Sequence, residues 1–234
     1  MSSGVSLLNS SDNRLPDPSD GPADGPVAIG GDLSPDLLIE AYNKGIFPWF
    51  SDDDGPLLWW SPDPRAVLLL EDFKPSKSLR RLLRRGRFRV TFDQAFSEVV
   101  SACAEPRSNS TETWITPNMQ RAYRTLYDLE LGHSVECWEE DELVGGLYGI
   151  SLGAMFFGES MFSKVSNASK VALARLVEQL LQWRFTVLDC QVMNQHLRSL
   201  GAIDIPRNQF LSLLSENRRH ATRAGRWDLH AENA

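Results

Sequence analysis

From about residue 30 onward, apolar positions recur at intervals that change along the chain. In GDLSPDLLIEAYNKGIFPWF they recur at helical spacing, with Ser34 as N-cap, Pro35 at the first helical position and Gly45 as the stop. The apolar run after Trp59 and Trp60, in LLWWSPDPRAVLLL, predicts a strand. KPSKSLRRLLRRGRFR then predicts a helix from about Ser76 to Arg85, with Leu79, Leu82 and Leu83 on one face and Arg80, Arg81 and Arg84 on the other. Gly86 ends it and RFRVTF alternates as a strand. Asp93 is read as the cap of a helix in QAFSEVVSACAE, and Thr116-Pro117 as the cap of another that runs to Leu131.

From His133 the period shortens to two. HSVECWEE, ELVGGLYGISLG and AMFFGESMF predict consecutive strands joined by acidic and glycine turns. A long helix, NASKVALARLVEQLLQW, follows. Then come the strand TVLDCQV, a short helix in NQHLRSLG, and a last helix in QFLSLLSENRR. The order describes an α+β protein.

Composition adds four constraints. The first 26 residues are rich in Ser, Asp, Pro and Gly and predict a mobile tail, residues 1–26. They hold no basic start followed by an apolar run, so they are not read as a secretory signal. Apolar runs are too short to span a membrane, so a cytoplasmic protein without membrane contact is expected. The three cysteines and four histidines do not fall at ligand spacing, so neither a metal nor a zinc site is expected.

The net charge of −7 argues against nucleic acid, but residues 74–89 carry eight Lys/Arg and no acid. One strongly basic element on an acidic protein marks a polyanion site, with Lys77, Arg80, Arg81, Arg84 and Arg85 as phosphate ligands.

Two acids lie in apolar surroundings. Glu159 sits within FFGESMF, and Asp189 sits in TVLDCQV, where period two puts Val187, Asp189 and Gln191 on one face. Buried polar groups need partners. The three form either a structural hydrogen-bond network or a site for a cation or an amine. Trp59 and Trp60 read as core; Trp49 and Trp114, at element junctions, suit the edge of a cleft. GESMF lacks the last glycine of a nucleophile elbow, and a Cys190–His196 thiol and base pair has no supporting spacing.

Together GGDLSPDLLIEAYNKGIFPWF, LLWWSPDPRAVL, TWIT, DELVGGLYG, FFGESMFS, NASKVAL, LDCQV and SLGAIDIP resemble the leucyl/phenylalanyl-tRNA–protein transferases, over about Gly30 to Pro206. The resemblance implies a small N-terminal domain (27–65) beside an acetyltransferase-like (GNAT) domain (66–220) with a mixed, mostly antiparallel sheet flanked by helices; the polar C-terminal stretch (221–234) lies outside it and is read as a tail. It implies transfer of Leu, Phe or Met from aminoacyl-tRNA to the α-amino group of proteins beginning with Arg or Lys, which marks them for the N-end rule pathway.

By this resemblance Gln191 orients the amine or the developing oxyanion. Asp189 orients Gln191 or attracts the ammonium group, and Glu159 is the counter-ion that lacks a partner until the acceptor arrives. Leu147, Phe156, Met161 and Leu188 match the donor side-chain pocket, Trp49 and Trp114 stand at its mouth, and Ser163 and Asn194 add hydrogen bonds. No pyrophosphate-binding Q/RxxGxG/A stretch precedes the NASK helix, which fits a donor other than acetyl-CoA and no cofactor. A coenzyme A–dependent N-acyltransferase and a non-catalytic tRNA- or degron-binding protein are the alternatives. A monomer is the expected state.

Overall fold

The computed structural model describes residues 4–9, 13–106 and 113–228. Among these, a four-stranded sheet has the order β1 (Ser6–Leu8), β2 (Pro26–Gly30), β4 (Leu58–Trp60), β3 (Phe47–Pro48). Helix α1 (Pro35–Asn43) packs beside β3. It ends where Gly45 takes φ +74; a Cβ there would stand 2.9 Å from the Phe210 ring.

The larger sheet has seven strands in the order β11 (Ile203–Ile205), β5 (Arg65–Leu69), β10 (Val187–Gln191), β9 (Met155–Ser163), β8 (Glu142–Leu152), β7 (Gly132–Glu139), β6 (Arg89–Phe92). Every neighbouring pair is antiparallel except β9 with β10. This is the α+β, mixed and mostly antiparallel sheet expected, flanked by helices. Helices α3 (Phe96–Ala104), α4 (Pro117–Asp128) and α7 (Arg207–Asn217), with α1, contribute to the core on one face. Helices α2 (Lys77–Arg85) and α5 (Ala168–Gln182) pack on the other. A short helix α6 (Gln195–Ser199) follows β10. None of the described helices is long and apolar enough to cross a membrane.

Three sequence expectations are corrected. Within residues 1–26, the described part is not a loose tail. β1 pairs in parallel with the edge of β2, Leu8 and Leu15 are buried, and Lys44 donates to the Leu15 carbonyl at 2.6 Å. A polar average hid two apolar anchors that need only a groove and an open strand edge. Residues 1–3 and 10–12 lie outside the described residues.

Trp227 is buried among aromatic rings and ties down the C-terminal stretch 221–228, most of whose other residues are exposed; residues 229–234 lie outside the described residues. Asp93 does not cap α3. Its carboxylate meets His133 and the Ser134 N–H, while Glu136 accepts from the N–H groups of Gln94 and Ala95 at the helix start. The turn before α3 is thus tied to a buried acid on a neighbouring strand, while Asp93 faces that strand.

Candidate active site

β9 and β10 run side by side only from Met155–Phe157 opposite Val187–Asp189, and then diverge. Each bulges where they part. Glu159 is the extra residue of β9 between the partners of Tyr148 and Gly149 on β8, and Cys190 is the extra residue of β10 opposite β5. A bulge re-aims side chains locally. Gln191, just past the second bulge, takes φ +62, a left-handed conformation unusual for a residue with a Cβ. Gly158 keeps the gap open: a Cβ there would lie 3.3 Å from Leu188 and 3.5 Å from the Asp189 carbonyl oxygen.

Glu159 is almost fully buried and is not the partnerless carboxylate expected. Oε1 accepts from Tyr42 Oη at 2.8 Å and from Gln191 Nε2 at 2.9 Å; Oε2 accepts from Tyr123 Oη at 2.5 Å. The two hydroxyls are 2.9 Å apart. Burial pushes the Glu159 carboxyl up to about 7, and the charge of Asp189 adds to the rise, while bonds from Tyr123, Tyr42 and Gln191 oppose it. Burial and the nearby Glu159 charge hold both phenols well above their ordinary range, so they stay protonated donors.

Asp189 is also corrected as an attractor of ammonium. Both its oxygens meet Arg65, Oδ1 at 2.8 Å from Nε and Oδ2 at 2.6 Å from Nη2, with side-chain exposures of 0% and 1%. Arg65 also donates to the Gly45 carbonyl at 3.0 Å, and its guanidinium lies over the rings of Phe47 and Phe210. Asp189 Oδ1 accepts from the Gln191 backbone N–H at 2.9 Å, which fixes the turned backbone there.

A cleft of about 1040 Å³ opens at the divergence. Its lining includes Glu159 and Gln191 and all eight residues read as substrate-binding: Trp49, Trp114, Leu147, Phe156, Met161, Ser163, Leu188 and Asn194. Asp189 stands behind it. Leu147, Phe156, Leu173 and Leu188, with Met161 against them, belong to the apolar core on the α5 side. Tyr148, which also lines the cleft, belongs to the core on the opposite side. The cleft thus joins an apolar compartment to a carboxylate–phenol–amide network.

Trp49 is 40% exposed at the rim; it meets Trp60 edge-on at 5.4 Å, and its carbonyl accepts from the Trp60 indole at 2.7 Å. Ser163 and Asn194 carry local structure. Ser163 Oγ donates to the Val165 carbonyl and accepts from Ser169 N–H, and Asn194 caps α6 through Leu197 N–H. Cys190 and His196 both line the cleft, but burial drives the Cys190 thiol far up, so it stays protonated.

Tyr42, Tyr123 and Arg65 were not singled out from sequence. They lie 117, 36 and 124 residues from their partners. The only signal was the demand of two buried acids for donors, and an arginine opening an apolar run. The basic helix lies apart from the cleft lining. Ser76 Oγ accepts from Leu79 N–H, Gly86 closes it at φ +62, and Leu79 is buried against the α5-side core. Lys77, Arg80, Arg81, Arg84 and Arg85 are exposed, and among the described residues no ion pair engages them.

Two family models match. One, described as leucyl/phenylalanyl-tRNA protein transferase, covers residues 67–215, and the other, for the N-terminal domain of those proteins, covers 31–63. A leucyl/phenylalanyl-tRNA–protein transferase of Pseudomonas syringae pv. syringae is 57% identical over 82% of this chain and 84% of its own length. One of Desulfatibacillum aliphaticivorans is 53% identical over 94% of each. Among solved structures, a GCN5-related N-acetyltransferase from Kribbella flavida matches at 10% identity with TM-score 0.40, over 72% of this chain and 58% of that one. By the span of the family models and the identity to these relatives, the chain belongs to the leucyl/phenylalanyl-tRNA–protein transferase family.

Proposed function

We propose that this chain moves leucine, phenylalanine or methionine from aminoacyl-tRNA to the α-amino group of proteins that begin with Arg or Lys, marking them for N-end rule degradation. It acts as a cytoplasmic monomer. The observation that carries this reading is the junction, in one cleft, of an apolar compartment with the Glu159–Gln191 pair.

The donor ester is already activated, so holding an amine beside it supplies much of the rate. Leu147, Phe156, Met161 and Leu188 take the donor side chain, and the thioether of Met161 adapts to several shapes. Branching at Cβ is rejected sterically. Trp49 and Trp114 receive the terminal adenosine at the mouth. The acceptor amine comes to Gln191, whose Nε2 is engaged by Glu159; this leaves the amide oxygen to accept an N–H of the nucleophile.

An amide is too weak a base to take the proton, so Gln191 orients. Glu159, at about 7, lies close to the amine's own range of about 7.7–8.0 and supplies both counter-charge and proton acceptor. Asp189 and Arg65 position Gln191. The exposed guanidinium row of α2 holds tRNA phosphates without reading sequence, so binding weakens steeply with salt.

The test mixes the protein with Phe-tRNA and a peptide beginning with Arg, and reads Phe–Arg peptide by mass beside an Asp-initiated control. Product with Arg alone supports the reading. Turnover of acetyl-CoA instead would move the chain to coenzyme A–dependent acylation, and binding of both substrates without joining would make it a non-catalytic binder. Charge reversal at Arg80 and Arg84 should lower affinity for charged tRNA; unchanged affinity would remove α2 from the interface.

A further inference from the structure

The stretch after α7 returns to the cleft wall from behind. Thr222 Oγ1 accepts from Gly153 N–H at 3.0 Å, and Arg226 reaches the Tyr127 carbonyl and lies over its ring. Trp227 then enters the α5-side core at 2% exposure. Its backbone N–H donates to Asp93 Oδ2 at 2.7 Å, and its indole stacks on His133 at 3.7 Å with 7° between planes. Trp183 stands 4.9 Å away edge-on, and Phe156 5.8 Å away.

Phe156 faces two ways, lining the cleft and packing against Trp227. In a close-packed interior a ring holds its place only while the atoms behind it stay. Neither Trp227 Nε1 nor His133 Nε2 has a hydrogen-bond partner among the described residues, so the indole is held there by shape and stacking. Trp227 itself lies beyond the matched span, which ends at 215.

We propose that Trp227 is a positioning residue for the donor pocket: by backing Phe156 it limits the depth of amino-acid side chain the cleft accepts. This inference rests on the transferase reading above. Without the indole, the Phe156 ring withdraws toward the vacated space and the pocket deepens. Phenylalanine then gains over leucine.

The experiment measures kcat/KM for Phe-tRNA and Leu-tRNA with one Arg-initiated peptide. It compares the unmodified chain with Trp227→Leu, Trp227→Phe and Leu214→Ala. The last removes a core side chain, 1% exposed, that packs in the core of the opposite face. The expected Phe-to-Leu ratio rises about fivefold in Trp227→Leu and about twofold in Trp227→Phe, short of the roughly tenfold or more that a whole methylene decides in a pocket. It stays unchanged in Leu214→Ala.

An unchanged ratio in Trp227→Leu overturns the proposal, as does an equal shift in Leu214→Ala, which would mark general loosening. If Trp227→Leu does not fold, Trp227→Phe decides, since it keeps an aromatic ring and strands no partner; no rise there overturns the inference. Failure of the unmodified chain to form product would overturn the transferase reading, and this inference with it.

Discussion

Asp189 and Glu159 are buried acids on adjacent parallel strands, a few residues from the point where those strands part. Asp189 meets a guanidinium with both oxygens; Glu159 meets two phenols and an amide. The paired acid has both oxygens taken by the guanidinium and serves as a fixed post for the turned backbone at Gln191. The acid with neutral donors keeps a charge that burial opposes, so its proton is exchangeable near neutrality. Burial alone therefore does not mark a reactive carboxylate. The kind of partner does.

The largest effect should come from taking away the cation. Arg65→Met leaves Asp189 buried and uncompensated, at a cost of about 3–5 kcal/mol in denaturant unfolding, and Arg65→Met with Asp189→Leu should recover most of it. If the single variant loses less than about 1 kcal/mol, Asp189 is not the fixed post described.

Glu159 should behave in the opposite manner. Folded, it keeps its proton up to about pH 7; unfolded, it releases it near the ordinary 4.5. The folded state therefore binds more protons in that window. The stability this gives is fully present below about pH 4.5 and is lost as pH rises through about 7. Glu159→Gln removes that dependence. Its melting temperature relative to the unmodified chain should climb from pH 5 to pH 8, by on the order of 2–3 kcal/mol in stability. A pH-independent difference would mean that Glu159 is ionised throughout.

Gln191→Ala should lower kcat/KM for transfer by about a hundredfold, the loss that misplacing a reacting group by about 1 Å brings. Its unfolding free energy should change by only about 1 kcal/mol, the net worth of the one hydrogen bond it gives Glu159. A comparable loss of stability would make Gln191 a structural tie like Asp189.

The smallest effect sharpens the picture most. Tyr123→Phe removes a donor that favours ionised Glu159, at about 1–2 kcal/mol in stability. The inflection in kcat/KM against pH should then move to a higher pH; an unmoved inflection would assign it to another group.

Much of this arrangement was legible in the chain. The cap at Thr116 and the stop at Gly86 act within one helical turn, so local sequence suffices to read them. Period two from His133 onward outlined the three central strands. The same rule could not reveal the bulges at Glu159 and Cys190, because an extra residue is a matter of register against a neighbour. Nor could it tell that Trp227 and Leu8 are buried, since each sits in a short apolar island between polar residues. Glu159 was legible as a burdened carboxylate, but its phenol partners were not.

The amino-acid sequence by itself determined the family and the order of the central elements, because spacing and motif are local quantities; the cleft residues it named came through the family resemblance. Tertiary structure decided which acid meets Arg65 and which meets Tyr42 and Tyr123. It also decided that two bulges aim Glu159 and Gln191 at one gap and that the C-terminal indole backs the cleft wall. Electrostatic fate depends on what a fold brings within about 3 Å, and those neighbours come from residues up to 124 positions apart.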